Sequence, residues 1–297
     1  MKLFTPPTAA LMCAFSLLSQ PTLAGTYLKD GDLIGSPTSY TITKGDNLSR
    51  IARRFDVGLV ELKAANSGLL AKLTEGQVLV IPTQHLLPNV AREGIVVNLG
   101  ELRLYDYGST DGVVSVPITV GTEGWDTPLG ETTITAKRKN PTWTPPASIR
   151  EQSPKLKAVY PSGPKNPLGL FAMNLGWPGY LIHGTNSPTT IGEWASHGCI
   201  RLYPEDIKSL FLQTPTGTKV TVVSARFKLG WHGDELLIEV NPAPSLKSVD
   251  AVNLSAIDVT VTIVQFVGTR PVLINGEALA LSLEQNSGVP TVIATAK

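Results

Sequence analysis

Tyr180-Leu181-Ile182-His183-Gly184-Thr185 and, eleven residues after Thr185, Ser196-His197-Gly198-Cys199-Ile200-Arg201-Leu202 decide how this chain is read. The first run ends an apolar stretch on a histidine and a glycine. The second places a cysteine after a glycine and before another apolar pair. A strand closing on His183, a loop over Thr185 to Ala195, and a second strand beginning near Cys199 would lie side by side. That arrangement puts an imidazole beside a thiol.

A thiol attacks as thiolate, so a nucleophilic cysteine needs a base, a group that orients the base, and donors for the oxyanion. His183 is the candidate base for Cys199. The Gly184 carbonyl is the candidate orienter, holding the second ring nitrogen. Gly198 lacks a side chain, which lets a substrate carbonyl approach the backbone and permits a tight turn. The N–H groups of Gly198 and Cys199 are then candidate oxyanion donors. The chain has four histidines, and His183 and His197 both fall within the sixteen residues before Cys199. That clustering favours catalysis over inert filling. Zinc is the rival: His183, His197 and Cys199 offer three ligands, but no fourth Cys or His lies nearby. The expectation is no metal and no cofactor.

The rest of the chain sets the context. Residues 1–24 carry Lys2 as their only charge, a short apolar run from Leu11 to Leu18, and Thr22-Leu23-Ala24 as a cleavage site. They read as a secretory signal peptide. The run is too short to span a bilayer, and the mature chain is expected to have no membrane span. Ala10-Leu11-Met12 before Cys13 lacks the small residue a lipidation site needs. Without the signal, one fewer than the 25 Lys+Arg balances the 24 Asp+Glu. Zero net charge offers no field for nucleic acid. Cys13 leaves with the signal, and Cys199 becomes the sole thiol of an oxidising compartment. Such a thiol is either buried and inert or kept for its reactivity.

With 297 residues, 27 Gly and 23 Pro, many short strands and turns are expected in more than one domain. Between residues 38 and 83 the order is β-α-α-β. Tyr40 to Thr43 alternates as a strand, and Asp46 is the expected cap of a helix carrying Leu48, Ile51, Ala52 and Phe55 on one face. A second helix runs over Leu59 to Ala65, starting at Gly58 without a polar cap. A turn and a strand follow from Gly76 to Pro82. From 92 to 224 strands and turns dominate, so a β-sandwich-like domain is expected, with a rigid loop at Asn140 to Pro146 and one short helix at Pro204 to Phe211. Residues 225–297 are expected to form a β appendage. His232-Gly233-Asp234 marks a hairpin, and Val259, Val261 and Ile263 alternate as a strand.

Residues Tyr40 to Pro82 resemble the LysM module: Tyr40, Gly45-Asp46-Asn47-Leu48, Ile51-Ala52, Phe55, Asn66 and Gly76 to Pro82 all match its pattern. The resemblance implies binding of N-acetylglucosamine-containing glycan, here peptidoglycan. His183-Gly184-Thr185 and the unbroken run Ser196 to Leu202 resemble the signature of the L,D-transpeptidase family with the YkuD-type catalytic domain. That likeness extends from about Arg92 to about Ser224, through Pro141-Thr142-Trp143-Thr144-Pro145 and Asn166-Pro167-Leu168-Gly169. It implies a mainly β, YkuD-type catalytic domain behind the LysM module.

It also implies the chemistry. Cys199 attacks meso-diaminopimelate in a tetrapeptide stem and expels D-alanine, and an amine then takes the thioester. His183 moves the protons and Gly184 orients it. His197 shapes the pocket, Arg201 meets a substrate carboxylate, Ser196 holds the turn, and Trp143 is a stacking wall. The acceptor is the C-terminal lysine of a Braun-type outer-membrane lipoprotein, or a neighbouring diaminopimelate in a 3–3 cross-link. The location implied is the periplasm. Papain-like peptidases place Cys before His, and sortases space the pair much more widely. A carboxypeptidase or amidase on this fold, and a non-catalytic glycan binder, are the remaining alternatives.

Overall fold

The computed structural model describes residues 25–27, 31–68, 73–110, 112–242 and 256–297. The signal-peptide expectation for residues 1–24 lies outside them. No described helix is long and apolar enough to cross a membrane.

The LysM segment has the expected order, with β1 (Thr38–Thr41), α1 (Leu48–Arg54), α2 (Leu59–Ala64) and β2 (Val78–Ile81), and β1 pairs antiparallel with β2. Ile51, Ala52, Val57, Leu62, Leu79 and Ile81 form its buried core. The α1 cap differs from the expectation. Asn47 caps the helix, its Oδ1 accepting from the Arg50 amide at 2.9 Å. Asp46 instead accepts from Tyr40 Oη and the Thr43 amide. The turn through Gly45, at φ +87°, consumes Asp46 and starts the helix one residue later. At α2 the Glu61 carboxylate reaches back to the Gly58 amide at 2.9 Å, the half of a capping box that needs no N-cap side chain.

The next domain is one curled nine-stranded sheet. Its strands are β3 (Ile95–Asn98), β4 (Arg103–Asp106), β5 (Val113–Pro117), β7 (Gly130–Lys139), β8 (Phe171–Leu175), β9 (Leu181–His183), β11 (Ile200–Arg201) and β12 (Lys219–Val223), with Gly25–Tyr27 on the edge. The order is Gly25–Tyr27, β5, β4, β3, β12, β7, β8, β9, β11. Strand β7 turns the corner: Gly130 to Thr133 pair with β12, and beyond an irregularity at Ile134 and Ala136 the strand pairs with β8. Both halves close on one core, including Ile95, Val116, Met173, Ile182, Ile200 and Val220. Two short strands, β6 (Val120–Gly121) and β10 (Trp194–Ser196), pair beside it. Helix α3 (Ala147–Gln152) lies between β7 and β8, and helix α4 (Pro204–Gln213) begins at the expected proline, with Glu205 and Asp206 in its first turn.

The C-terminal domain corrects the expectation of a β appendage. The hairpin is present as β13 (Phe227–His232) and β14 (Glu235–Val240). But Val259, Val261 and Ile263 lie in helix α5 (Ala256–Val267), ahead of β15 (Val272–Ile274), α6 (Gly276–Gln285) and β16 (Thr291–Ala296). Val259 and Ile263 are fully buried, whereas Val261 is 50% exposed. The spacing that packs is therefore i, i+4, not i, i+2. β-branched residues favour strands, but an apolar face docked on a sheet overrides that preference.

A buried charge cluster joins the three domains. Lys228 Nζ donates to Glu239 at 2.9 Å, to the Leu86 carbonyl at 2.6 Å and to Glu101, and Tyr105 Oη donates to Glu101 at 2.9 Å. Arg103 Nη1 meets Glu61 of the LysM domain at 3.1 Å. His85 lies between the two groups, its Nε2 3.4 Å from Glu61. Burial holds His85 neutral, its pKa pushed down to about 3. His85, Glu101 and Glu239 have the ligand atoms for a metal ion within 4.8 Å of one another. The Lys228 ammonium already supplies the cation there.

A second seam runs between α1 and α4. Gly58 and Gly192 touch there, and a Cβ on Gly192 would stand 2.3 Å from the Gly58 Cα. The Leu59 and Val60 amides donate to the Ile191 and Gly192 carbonyls, so the LysM domain is bonded to the loop between His183 and Cys199. Arg53 pairs with Glu205, and the carboxyls of Asp56 and Asp206 share a hydrogen bond, which requires a proton on one of them. Burial, opposed by Arg103, raises Asp56 to about 6.

Two outcomes are expected. Lys228→Met should cost about 3–5 kcal/mol in denaturant unfolding, because it leaves two buried carboxylates facing each other; a loss below 1 kcal/mol would contradict this. An acid whose folded pKa is raised stabilises the fold at low pH and loses that contribution as pH rises through about 6. Asp56→Asn should therefore raise Tm at pH 7.5 by a few degrees, about 2–4 °C per kcal/mol, by roughly half as much at pH 5, and not at all below the unfolded carboxyl's own range.

Candidate active site

Strands β9 and β11 are parallel neighbours, with Ile182 opposite Ile200 and His183 opposite Arg201. Successive side chains of a strand point to opposite faces. Ile182 and Ile200, both fully buried, take the core face. His183 and Arg201 take the other, and Cys199, which directly precedes β11, lies near the Arg201 charge. One parallel pairing thus sets the strand that ends on His183 beside the segment that leads out of Cys199.

His183 is 3% exposed, and its Nδ1 lies 2.6 Å from the Gly184 carbonyl. A carbonyl only accepts, so Nδ1 carries the hydrogen and Nε2 keeps its lone pair. The Leu168 backbone also lies against the ring. Burial, then the charge of Arg201, lowers the imidazole pKa to about 3. Leu168 is placed by Asn166, 1% exposed, which accepts from the Leu168 amide at 2.9 Å and donates to the Pro141 carbonyl at 2.8 Å. Asn166 thereby ties down the long excursion of residues 140–170 between β7 and β8.

Cys199 is free and half-buried. Its Sγ lies 3.6 Å from the Gly179 carbonyl, and the Leu181 amide points at the sulfur. Burial raises the thiol pKa; the Leu181 amide and the Arg201 charge oppose it. Gly198 sits at φ +92°, and a Cβ there would approach Tyr180 Cε1 to 2.8 Å. Only glycine fits. Ser196, 1% exposed, donates from Oγ to the Cys199 carbonyl at 2.6 Å, which ties the turn to its own start.

Arg201 donates weakly to the Ala195 carbonyl at 3.4 Å, and its Nε has no partner among the described residues. His197 is exposed, with its ring edge-on to Trp125 at 4.7 Å. Trp143 lies in the 140–170 excursion, where it exchanges backbone hydrogen bonds with Tyr160 and packs on its ring at 5.3 Å. The tryptophan against the motif is Trp125. Trp125, Thr127, Asn166 and Tyr180 all touch the site and were not read from the sequence as site residues. Asn166 carried a signal as part of Asn166-Pro167-Leu168-Gly169, and Tyr180 as the first residue of the run that ends on His183-Gly184-Thr185.

A family model of the L,D-transpeptidase catalytic domain, YkuD, matches residues 92–222, and the LysM domain model matches residues 40–82. Probable L,D-transpeptidase YcfS of Escherichia coli (strain K12) is 40% identical over 257 residues, covering 83% of this chain and 80% of that protein. Probable L,D-transpeptidase ErfK/SrfK of the same strain is 36% identical over 304 residues, covering 96% of each. Among solved structures, the NMR structure of the catalytic domain of the E. faecium L,D-transpeptidase acylated by ertapenem is 25% identical. It covers 45% of this chain and 98% of that one, with a TM-score of 0.35. The chain is an enzyme of the YkuD L,D-transpeptidase family, similar over most of its length to the ErfK, YbiS and YcfS proteins.

Proposed function

We propose that Cys199 forms a thioester with the meso-diaminopimelate carbonyl of a peptidoglycan tetrapeptide stem and passes that acyl group to an amine. The observation that supports this most directly is the pairing of β9 with β11, which sets His183, its tautomer fixed by the Gly184 carbonyl, on the strand next to the one that Cys199 enters from a glycine turn. The thiol proton moves to His183 Nε2 as sulfur attacks. The C–N bond to D-alanine then breaks, and the imidazolium returns its proton to the leaving amine. In the second half the acceptor amine attacks the thioester, His183 takes its proton, and the C–S bond breaks to restore the thiol. Gly184 keeps the imidazole in register, and the Gly198 and Cys199 amides receive the oxyanion. Arg201, with an unpartnered buried Nε, binds a substrate carboxylate. His197 and Trp125 form one wall. Trp143 faces the substrate from the 140–170 excursion.

The acceptor is the C-terminal lysine of a Braun-type lipoprotein in the periplasm, with a neighbouring diaminopimelate as the alternative amine. The relatives named above are transpeptidases, and they lend no support to water as the acceptor. The test is to incubate the protein with disaccharide-tetrapeptide, with and without a lysine-terminated peptide, and follow products by mass spectrometry. D-alanine loss and a new amide are expected. Cys199→Ala should abolish both, and His183→Gln should slow both on the order of 10²–10⁴-fold. D-alanine loss with no amide would establish hydrolysis instead.

With the thiol raised and the imidazole lowered, the resting pair is uncharged at neutral pH. Iodoacetamide alkylation of Cys199 should accordingly climb about tenfold per pH unit from pH 6 to 8.5, following the thiolate fraction. A rate already level below pH 7 would show a resting thiolate–imidazolium pair.

A further inference from the structure

Thr127 lies 71 residues before Gly198 in the chain and is 6% exposed. Its Oγ1 donates to the Gly198 carbonyl at 2.9 Å and accepts from the Gly121 amide at 3.0 Å. Both capacities of the hydroxyl are therefore used, so its hydrogen has one place to point. Gly121 belongs to β6, which pairs with Ser196 of β10, so the hydroxyl is anchored on the layer beneath the motif.

The peptide joining Gly198 to Cys199 is planar and trans. Its C=O and its N–H point in opposite directions. Thr127 pulls the carbonyl toward the buried side, which turns the Cys199 amide outward. Among the described residues no carbonyl takes the amide hydrogen of Gly198 or of Cys199. Gly198 at φ +92° has no Cβ to limit rotation of this plane, so something else must fix it. Ser196 holds the following carbonyl, that of Cys199, at 2.6 Å. The two peptide planes that flank the nucleophile are thus each clamped by one buried hydroxyl.

We infer that Thr127 is a positioning residue of the reaction: its hydrogen bond to the Gly198 carbonyl sets the peptide plane that aims the Cys199 amide at the oxyanion. The inference rests on the acyl-transfer reading above, because an oxyanion forms only in that chemistry. An amide free to swing meets the developing charge only after reorganisation, and preorganised donors derive their effect from avoiding that. Thr127 touches neither substrate nor the reacting atoms; it acts through Gly198.

Two reactions of the same thiol separate this role from a merely structural one. Acylation of Cys199 by ertapenem develops an oxyanion, whereas alkylation by iodoacetamide displaces iodide and develops none. Thr127→Val removes the hydroxyl at nearly constant volume. Acylation should fall about 10- to 100-fold, the scale of losing most of one oxyanion donor, while alkylation should stay within about twofold by the same reasoning. Thr127→Ser should restore acylation to within a fewfold of the parent. If the valine variant fails to fold, Thr127→Ala is judged by the same ratio of the two rates. An unchanged ratio, whether both rates hold or both fall together, overturns the inference. A parent protein that is alkylated but never acylated overturns the acyl-transfer reading itself, and this inference with it.

Discussion

The arrangement of the whole chain depends on the buried charges where its three domains meet. Glu61 comes from the LysM domain, Glu101 and Arg103 from the catalytic domain, and Lys228 and Glu239 from the C-terminal hairpin. His85 stands between them on the short strand that leads out of the LysM domain. Lys228 and Glu239 pair within their hairpin, but Lys228 also needs Glu101 and the Leu86 carbonyl, and Arg103 meets Glu61 across a domain boundary. Removing a partner strands a charge at a cost of about 3–5 kcal/mol, so a different docking of any domain is penalised several times over. Net stabilisation from such a cluster is small, because each ion gives up its hydration. What it supplies is a single geometry.

That geometry reaches the site through main chain. The Leu59 and Val60 amides bind the loop that carries the chain from His183 to Ser196, and Gly58 and Gly192 permit the close approach. The loop then delivers Cys199 beside β9. Around the thiol the positioning groups are mostly backbone carbonyls and small hydroxyls: Gly184 on the imidazole, Ser196 and Thr127 on the peptide planes. Such groups have little freedom once their strands are paired. A site built this way is ready before substrate arrives, which is the condition under which electrostatic stabilisation is most effective.

The pair of titrating groups is set by burial more than by charge. Burial is the largest influence on both Cys199 and His183, and it moves the thiol up and the imidazole down. The Arg201 charge deepens the shift of the imidazole and opposes that of the thiol without reversing it.

The sequence by itself determined what local rules can carry. Alternation and turns marked the LysM order and the strands around His183 and Cys199. The proline and acids at residues 204–206 marked α4, and the glycine before Cys199 marked the turn there. Where two local rules competed it misread: Val259 to Ile263 fits a strand by propensity and a helix by its i, i+4 face, and only the sheet it packs on chose. Asp46 and Asn47 are equally good caps until the Gly45 turn consumes one of them. Thr127 and Trp125 stayed silent because a hydrogen bond or ring contact between distant residues leaves no periodicity to read. Tertiary structure alone decided these, since strand pairing and docking bring together groups that the chain keeps dozens of residues apart.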